Sequence, residues 1–332
     1  MQRLFDDSTE RKTAYTIGEA ASATVERIAR IRNGEVDRNA IPTGIAAIDR
    51  FTGGLHRNEY IVLSGRPSMG KTALGVQLAY NVAEKGGGAF YASLEMPVAS
   101  LMPRFLSCRL WTPGTVSNVD YQSILRGDVT DQQMRWIESA AKEMKSWPLT
   151  IDDAPGLAAP ELEARVQVAK SKLERNGRSL DLVVVDHLHK MRHPGAQSKV
   201  SEFTEISSRL AEMAKRLDCP VLALAQLNRG VESRDDKRPQ LADLRESGSI
   251  EQDADVVLFC FRAAYYLERR RCDDPNDEAN RRADLDAVSH RLELNIEKQR
   301  SGPIGPLELW CDMAANAVRD PADIGEAMEL AA

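Results

Sequence analysis

The stretch GRPSMGKT sets Gly65 and Gly70 ahead of Lys71 and Thr72 in the spacing G-x-x-x-x-G-K-T. Glycines at those two places let the chain curl so that successive main-chain N–H groups point inward at phosphate oxygens. A helix that follows adds its positive end. A cradle of Gly65, Arg66, Pro67, Ser68, Met69 and Gly70 would take a nucleoside triphosphate, ATP being the expected one. Lys71 would reach the β- and γ-phosphates, and the Thr72 hydroxyl would bind Mg²⁺. A P-loop needs a carboxylate on a neighbouring strand, and LVVVD supplies one. Four aliphatic residues drive a buried strand and leave Asp186 at its carboxyl end, where it holds magnesium through water or merely forms a turn. Hydrolysis also needs a group that orients water. Glu95 closes the run AFYASLE just before Met96 and Pro97 open a helix. It is placed either as that base or as an acid favoured by the helix dipole. Gln226, closing LALAQ, is an uncharged candidate for sensing the γ-phosphate, an assignment the residue alone leaves even.

These groups need a scaffold of strands with helices between them. Strand-like apolar runs occur at Tyr60–Leu63, Ala89–Ser93, Leu149–Ile151, Leu182–Val185, Val221–Ala225, Val256–Phe261, Leu292–Ile296 and Leu307–Trp310. Helical patterns fall at Thr72–Glu84, Asp131–Met144, Pro160–Glu174 and Glu202–Leu217. Strands alternating with helices predict an α/β fold with a mostly parallel sheet covered on both faces. The last two strands lie close together and predict an antiparallel edge. Ahead of this domain, Ile17, Ala21, Val25, Ile28 and Ile31 form an apolar stripe at near-helical spacing, closed by Asn33-Gly34. That helix either lies on its own domain or docks on a neighbouring subunit. The expected divisions are a disordered tail at 1–16, a linker helix at 17–34, the ATPase domain at 35–315 and a C-terminal tail at 316–332. The charged stretch 266–287, with its Pro-Asn turn signal, reads as a solvated surface loop.

Composition excludes several classes. A chain of 332 residues with 42% hydrophobic content buries a full core, and 28% charge with a net of -6 is neither disordered nor collagen-like. Cys108, Cys219, Cys260, Cys272 and Cys311 are scattered, odd in number and without a CxxC, so they are expected as reduced thiols of a cytoplasmic protein. No secretory leader and no long apolar run is read in the chain, so no membrane partner is expected. The acidic balance argues mildly against nucleic acid, although a few cations focused in a channel outweigh a total.

The motifs IPTGIAAIDRFTGGL, RPSMGKTAL, SLEM, IDDAPGL, KRPQLADLRESGSIEQDAD and EKQRSGPIG occur in order between about residues 20 and 312. Together they resemble the DnaB-type replicative DNA helicases, and RESGSIEQDAD is the most specific of them. The resemblance implies a RecA-like domain that assembles as a homo-hexameric ring. It also implies translocation 5′ to 3′ on single-stranded DNA and the opening of forked duplex DNA. It makes Glu95 the catalytic base, Asp186 the magnesium carboxylate and Gln226 the γ-phosphate sensor. Arg104 matches an arginine that stacks on the nucleotide base. Arg300 matches an arginine finger that enters the next subunit's site, with Lys298 beside it, and alternation about Gln299 turns both to one face. Arg245, Glu246 and Gly248 match the loop that holds the DNA backbone without reading bases, which overrules the net-charge argument.

Departures from the family pattern stand beside these matches. A helical N-terminal collar is expected to be missing, which leaves loading by a helicase loader, ring stability and primase contact open. Where the family has an aromatic-leucine pattern, this chain reads DHLHKMRH, and His187, His189 and His193 are expected as variation near the channel loop rather than a metal site. Pro103, just before Arg104, is expected to bend its helix. Two other classes compete with the helicase core. One is a regulatory paralogue lacking the collar and co-assembling with a full-length helicase. The other is a RecA-like DNA-dependent ATPase of strand-exchange or clock type that does not unwind.

Overall fold

The structure is a computed structural model. It describes residues 14–325 apart from 35–36, 38, 114, 116–117, 197 and 301, and it leaves the side chains of 245–249 undescribed. The chain forms two units, residues 1–40 and 41–332.

In the first unit, α1 (Ile17–Arg32) starts at a capping box: the Thr16 hydroxyl accepts from the Glu19 N–H while the Glu19 carboxylate accepts from the Thr16 N–H. It buries none of its residues, and Ile17, Val25, Ile28 and Ile31 are all exposed.

The second unit follows the order β1 (Ala40–Ile41), α2 (Ala46–Thr52), β2 (Leu55–His56), β3 (Tyr60–Gly65), α3 (Lys71–Glu84), β4 (Gly88–Ser93), α4 (Val98–Leu110), α5 (Tyr121–Arg126), α6 (Asp131–Met144), β5 (Leu149–Asp152), α7 (Ala159–Arg175), β6 (Leu180–Asp186), α8 (Lys199–Leu217) and β7 (Val221–Gln226). It continues with α9 (Gly248–Asp253), β8 (Val256–Phe261), α10 (Ala263–Arg269), α11 (Pro275–Val288), β9 (Arg291–Gln299), β10 (Gly305–Asp312) and β11 (Ala317–Arg319). Among the described residues, nine strands form one sheet in the order β11-β10-β9-β8-β3-β7-β6-β4-β5. The six from β8 to β5 run parallel, and β9, β10 and β11 add the antiparallel edge. This is the expected α/β architecture.

The parallel strands are buried on both faces, which is why they read as unbroken aliphatic runs rather than alternating ones. One face packs Leu63, Leu74, Leu78, Tyr91, Phe105 and Leu224 into a core beneath α3 and α4. The other packs Val62, Phe90, Leu162, Val183, Leu210 and Phe259 beneath α7 and α8.

Two expectations change. Residues 266–287 are not a loop but the end of α10 and most of α11. Asp274 caps α11 by accepting from the Asn276 and Asp277 N–H groups, and Pro275 takes the first helical position, where its missing N–H costs nothing. Glu278 then pairs with Arg281 and Arg282 one turn on. Pro and Asn, read from sequence as a turn, are therefore the start of a helix that buries no residue. The domain also continues past 315, because Ala317–Arg319 adds β11 to the sheet edge. Pro103 lies inside α4, which runs from Val98 to Leu110. Residues 1–13 of the expected tail lie outside the described residues.

Candidate nucleotide site

The strand order puts four chain segments side by side. Gly65 of β3 pairs with Gln226 of β7, and Ser93 of β4 with Asp186 of β6, so the carboxyl ends of four adjacent strands meet on one edge. In an open α/β sheet that edge is where ligands bind. A cleft of about 390 Å³ opens there, lined by Pro67, Ser68, Gly70, Lys71, Thr72, Glu95, Arg104, Asp186 and Gln226 from the sequence-derived set.

The turn between β3 and α3 needs its glycines. Gly70 caps α3 with φ of +92°, a left-handed conformation that strains any L side chain, and a Cβ on Gly65 would lie 2.9 Å from the Cys260 carbonyl oxygen. The Lys71 ammonium donates to the carbonyl oxygens of Gly65 and Arg66 at 2.7 and 2.8 Å. No carboxylate lies at salt-bridge distance from it among the described residues. Burial therefore pushes its pKa down to about 8. A half-buried cation held by two carbonyls suits an anionic ligand. The Arg66 side chain turns away from the cleft, pairing with Glu232 at 2.9 Å and donating to the Leu227 carbonyl.

Asp186 is buried, accepts from the Tyr91 hydroxyl at 2.8 Å, and lines the cleft with Thr72. Burial raises its pKa, against the hydrogen bond from Tyr91. A buried carboxylate beside a threonine hydroxyl and short of a cation fits the magnesium site of a P-loop protein.

Glu95 follows β4 and is half exposed. Its Oε2 lies 3.0 Å from His187 Nε2. Burial pushes His187 down, with Glu95 and Asp186 pulling the other way. The neutral ring thus donates through Nε2, and Nδ1 is buried without a partner. Gln226 presents an exposed side chain, while its main-chain N–H donates to His189 Nδ1 at 3.4 Å. Buried against Phe203 with ring centroids 4.7 Å apart, His189 has its pKa lowered to about 4. Of the three histidines expected as variation near a channel loop, His187 lines the nucleotide cleft against Glu95, His189 lies behind the Gln226 main chain, and His193 stands apart beside Glu202.

Arg104 on α4 lines the cleft with Tyr121, Met313 and Asn316. Sequence reasoning missed these three, together with His187 and Arg262. Arg262 is buried, lines the cleft and has no acidic partner among the described residues. Its one sequence signal is a lone arginine at the end of an apolar strand.

Lys298 and Arg300 do not line this cleft. Lys298 donates to the Glu251 and Gln252 carbonyls at 2.5 and 3.3 Å. Arg300, just past β9, pairs with Asp255 at 3.0 Å and keeps 57% of its side chain exposed. Arg245 and Glu246 fall in a short 3-10 stretch, Leu241–Ser247, and Gly248 opens α9; their side chains lie outside the described residues.

A glycine-cradled lysine, a buried aspartate at a strand end and a parallel sheet in this order define a RecA-like P-loop NTPase. The model of the DnaB-like helicase C-terminal domain matches residues 40–319, and the chain belongs to that family. It is 35% identical over 289 residues to the replicative DNA helicase DnaC of Bacillus subtilis, covering 86% of this chain and 58% of that protein. It is 39% identical over 319 residues to DnaB of Pasteurella multocida, covering 93% and 62%. The chain thus spans less than two thirds of these relatives' length. Among solved structures, an ATPase domain determined on its own superposes with a TM-score of 0.76 at 28% identity, covering 92% of this chain and 99% of that one. A DnaB-like replicative helicase studied with its interactions with primase gives 0.75 at 29%, covering 92% and 68%.

Proposed function

We propose that this chain is the ATP-driven motor of a replicative-type DNA helicase, hydrolysing ATP to move 5′ to 3′ along single-stranded DNA and separate the duplex ahead. The observation that carries this reading is the convergence of Lys71, Thr72, Glu95, Asp186 and Gln226 on one cleft while Arg300 stands exposed outside it. The triphosphate would take the place of the two carbonyls that now hold Lys71, whose ammonium then neutralises phosphate charge. Thr72 and Asp186 would hold Mg²⁺, which supplies neutralisation of the developing phosphate charge when bound. Glu95, steadied by His187, would orient the attacking water and accept its proton. Gln226 would hydrogen-bond the γ-phosphate and transmit its loss along β7.

A cation outside its own cleft suits use in a neighbour's. Arg300, with Lys298 behind it, would serve as a finger in trans, worth about 10³–10⁵ in rate in comparable phosphoryl transfers. Hydrolysis then requires assembly, for which a hexameric ring is the expected form, and the exposed stripe of α1 supports docking on an adjacent copy. Arg245, Glu246 and Gly248 would hold the DNA backbone. No helix among the described residues is long and apolar enough to cross a membrane, and the setting would be the cytoplasm. A loader would bring the ring to DNA. The full hydrolytic set also weighs against a scaffold-only paralogue.

The test is ATP-dependent strand separation on a fork with a free 5′ tail, run beside Lys71→Ala. Unwinding that is lost in the variant supports a self-sufficient helicase core. ATPase stimulated by single-stranded DNA without unwinding would shift the reading to a motor dependent on further parts.

A further inference from the structure

Arg104 is expected to stack on the nucleotide base, but a long arginine side chain stacks well only if its plane is held. Its guanidinium Cζ lies 4.1 Å from the centroid of the Tyr121 ring, and Nη1 donates to Asn316 Oδ1 at 3.1 Å. No carboxylate pairs with it among the described residues. The two residues that hold it come from segments tied to each other. The Tyr121 N–H, at the start of α5, donates to the Ala314 carbonyl at 3.0 Å, in the turn between β10 and β11 that also carries Asn316. Asn316 is buried and has φ of +53°, so it is fixed by its turn. Both Tyr121 and Asn316 line the cleft.

We propose that Tyr121 is a positioning residue for nucleotide selection, holding the Arg104 guanidinium by its ring so that the opposite face stacks on a nucleobase. This rests on the reading of Arg104 as the base-stacking arginine. A guanidinium has two faces. With one covered by an aromatic ring and its edge bonded to Asn316, it presents a flat, oriented cation, and a base that enters meets a surface with little side-chain freedom left to lose. The ligand class is therefore a nucleotide with a large π-face. The triphosphate alone gains nothing from Tyr121.

The experiment is equilibrium binding of ATP and of inorganic tripolyphosphate, both with magnesium, to the wild-type chain, Tyr121→Leu, Tyr121→Phe, Arg104→Ala and the double variant Arg104→Ala/Tyr121→Leu. Tyr121→Leu is expected to weaken ATP roughly threefold to tenfold, the span of a cation–π contact. Tripolyphosphate affinity should stay as in the wild type, Tyr121→Phe should bind ATP normally, and the double variant should be no weaker than Arg104→Ala. Equal loss of both ligands in Tyr121→Leu would mean a merely structural role and overturn the proposal. So would an additive loss in the double variant, since Tyr121 would then act without Arg104. If Arg104→Ala alone selectively weakens ATP, the proposal fails while the stacking reading stands. If Arg104→Ala weakens neither ligand, the stacking reading fails and the proposal with it.

Discussion

His187 Nε2 lies 3.0 Å from Glu95 Oε2, so the residue after the proposed magnesium carboxylate restrains the proposed catalytic base. Glu95 keeps 51% of its side chain exposed and has no other side-chain partner among the described residues that would fix its rotamer. Removing the imidazole frees it. His187→Ala should lower ATP turnover by about tenfold to a hundredfold, the scale of a mispositioned catalytic group, with ATP affinity little changed. His187→Gln, which keeps a donor, should recover part of that loss. Steady-state turnover measured beside equilibrium binding checks both, and unchanged turnover in His187→Ala would remove the restraint from the mechanism.

Arg300 is paired with Asp255, whose other oxygen accepts from the Tyr60 N–H. Arg300→Ala therefore leaves its own cleft intact. ATP affinity should hold, while turnover of the assembled protein should drop by about 10³-fold or more. Full turnover in that variant would sink the finger assignment.

Arg245→Ala should weaken single-stranded DNA binding about equally for all sequences. The slope of log affinity against log salt should fall by about one for the lost phosphate contact. Filter binding across a salt series with several homopolymers reads both, and a change in base preference would contradict backbone holding.

The apolar stripe of α1 is exposed at Val25 and Ile28. Changing both to Asp should shift sedimentation toward smaller species while ATP binding persists. An unaltered sedimentation profile would mean that α1 contributes nothing to assembly.

Burial lowers His189 to about 4, from 6.5 in an exposed histidine. Between those values the unfolded chain carries a proton that the folded chain lacks, so unfolding takes one up and stability falls as pH drops through this window. His189→Gln cannot titrate. Its urea midpoint should fall less than that of the wild type between pH 6.5 and 4, and equal losses would show that another group governs acid sensitivity.

Much of this molecule is written at short range. The spacing of Gly65, Gly70, Lys71 and Thr72 encodes a phosphate turn, because the conformation of eight consecutive residues decides it. LVVVD encodes a buried strand with its carboxylate at the end, and all eight expected strands formed. Pro275-Asn276 is ambiguous at this range because the same residue pair serves a turn or a helix start. Only the continuation into Glu278, Arg281 and Arg282 separates them.

What depended on tertiary structure is who meets whom. The strand order β3-β7-β6-β4 brings Gly65, Gln226, Asp186 and Ser93 to one edge, and nothing local in any of those segments specifies it. DHLH reads as scatter until that order sets His187 against Glu95 and His189 beneath Gln226. Tyr121 and Asn316 carry no motif at all. They reach Arg104 because α5 and the turn after β10 are joined by a main-chain hydrogen bond, a contact between segments far apart in the chain. By itself the sequence determined the phosphate cradle, the strands and the family, since each is encoded by neighbouring residues or by ordered motifs. The partners of the catalytic groups were decided by packing, which no residue spacing records.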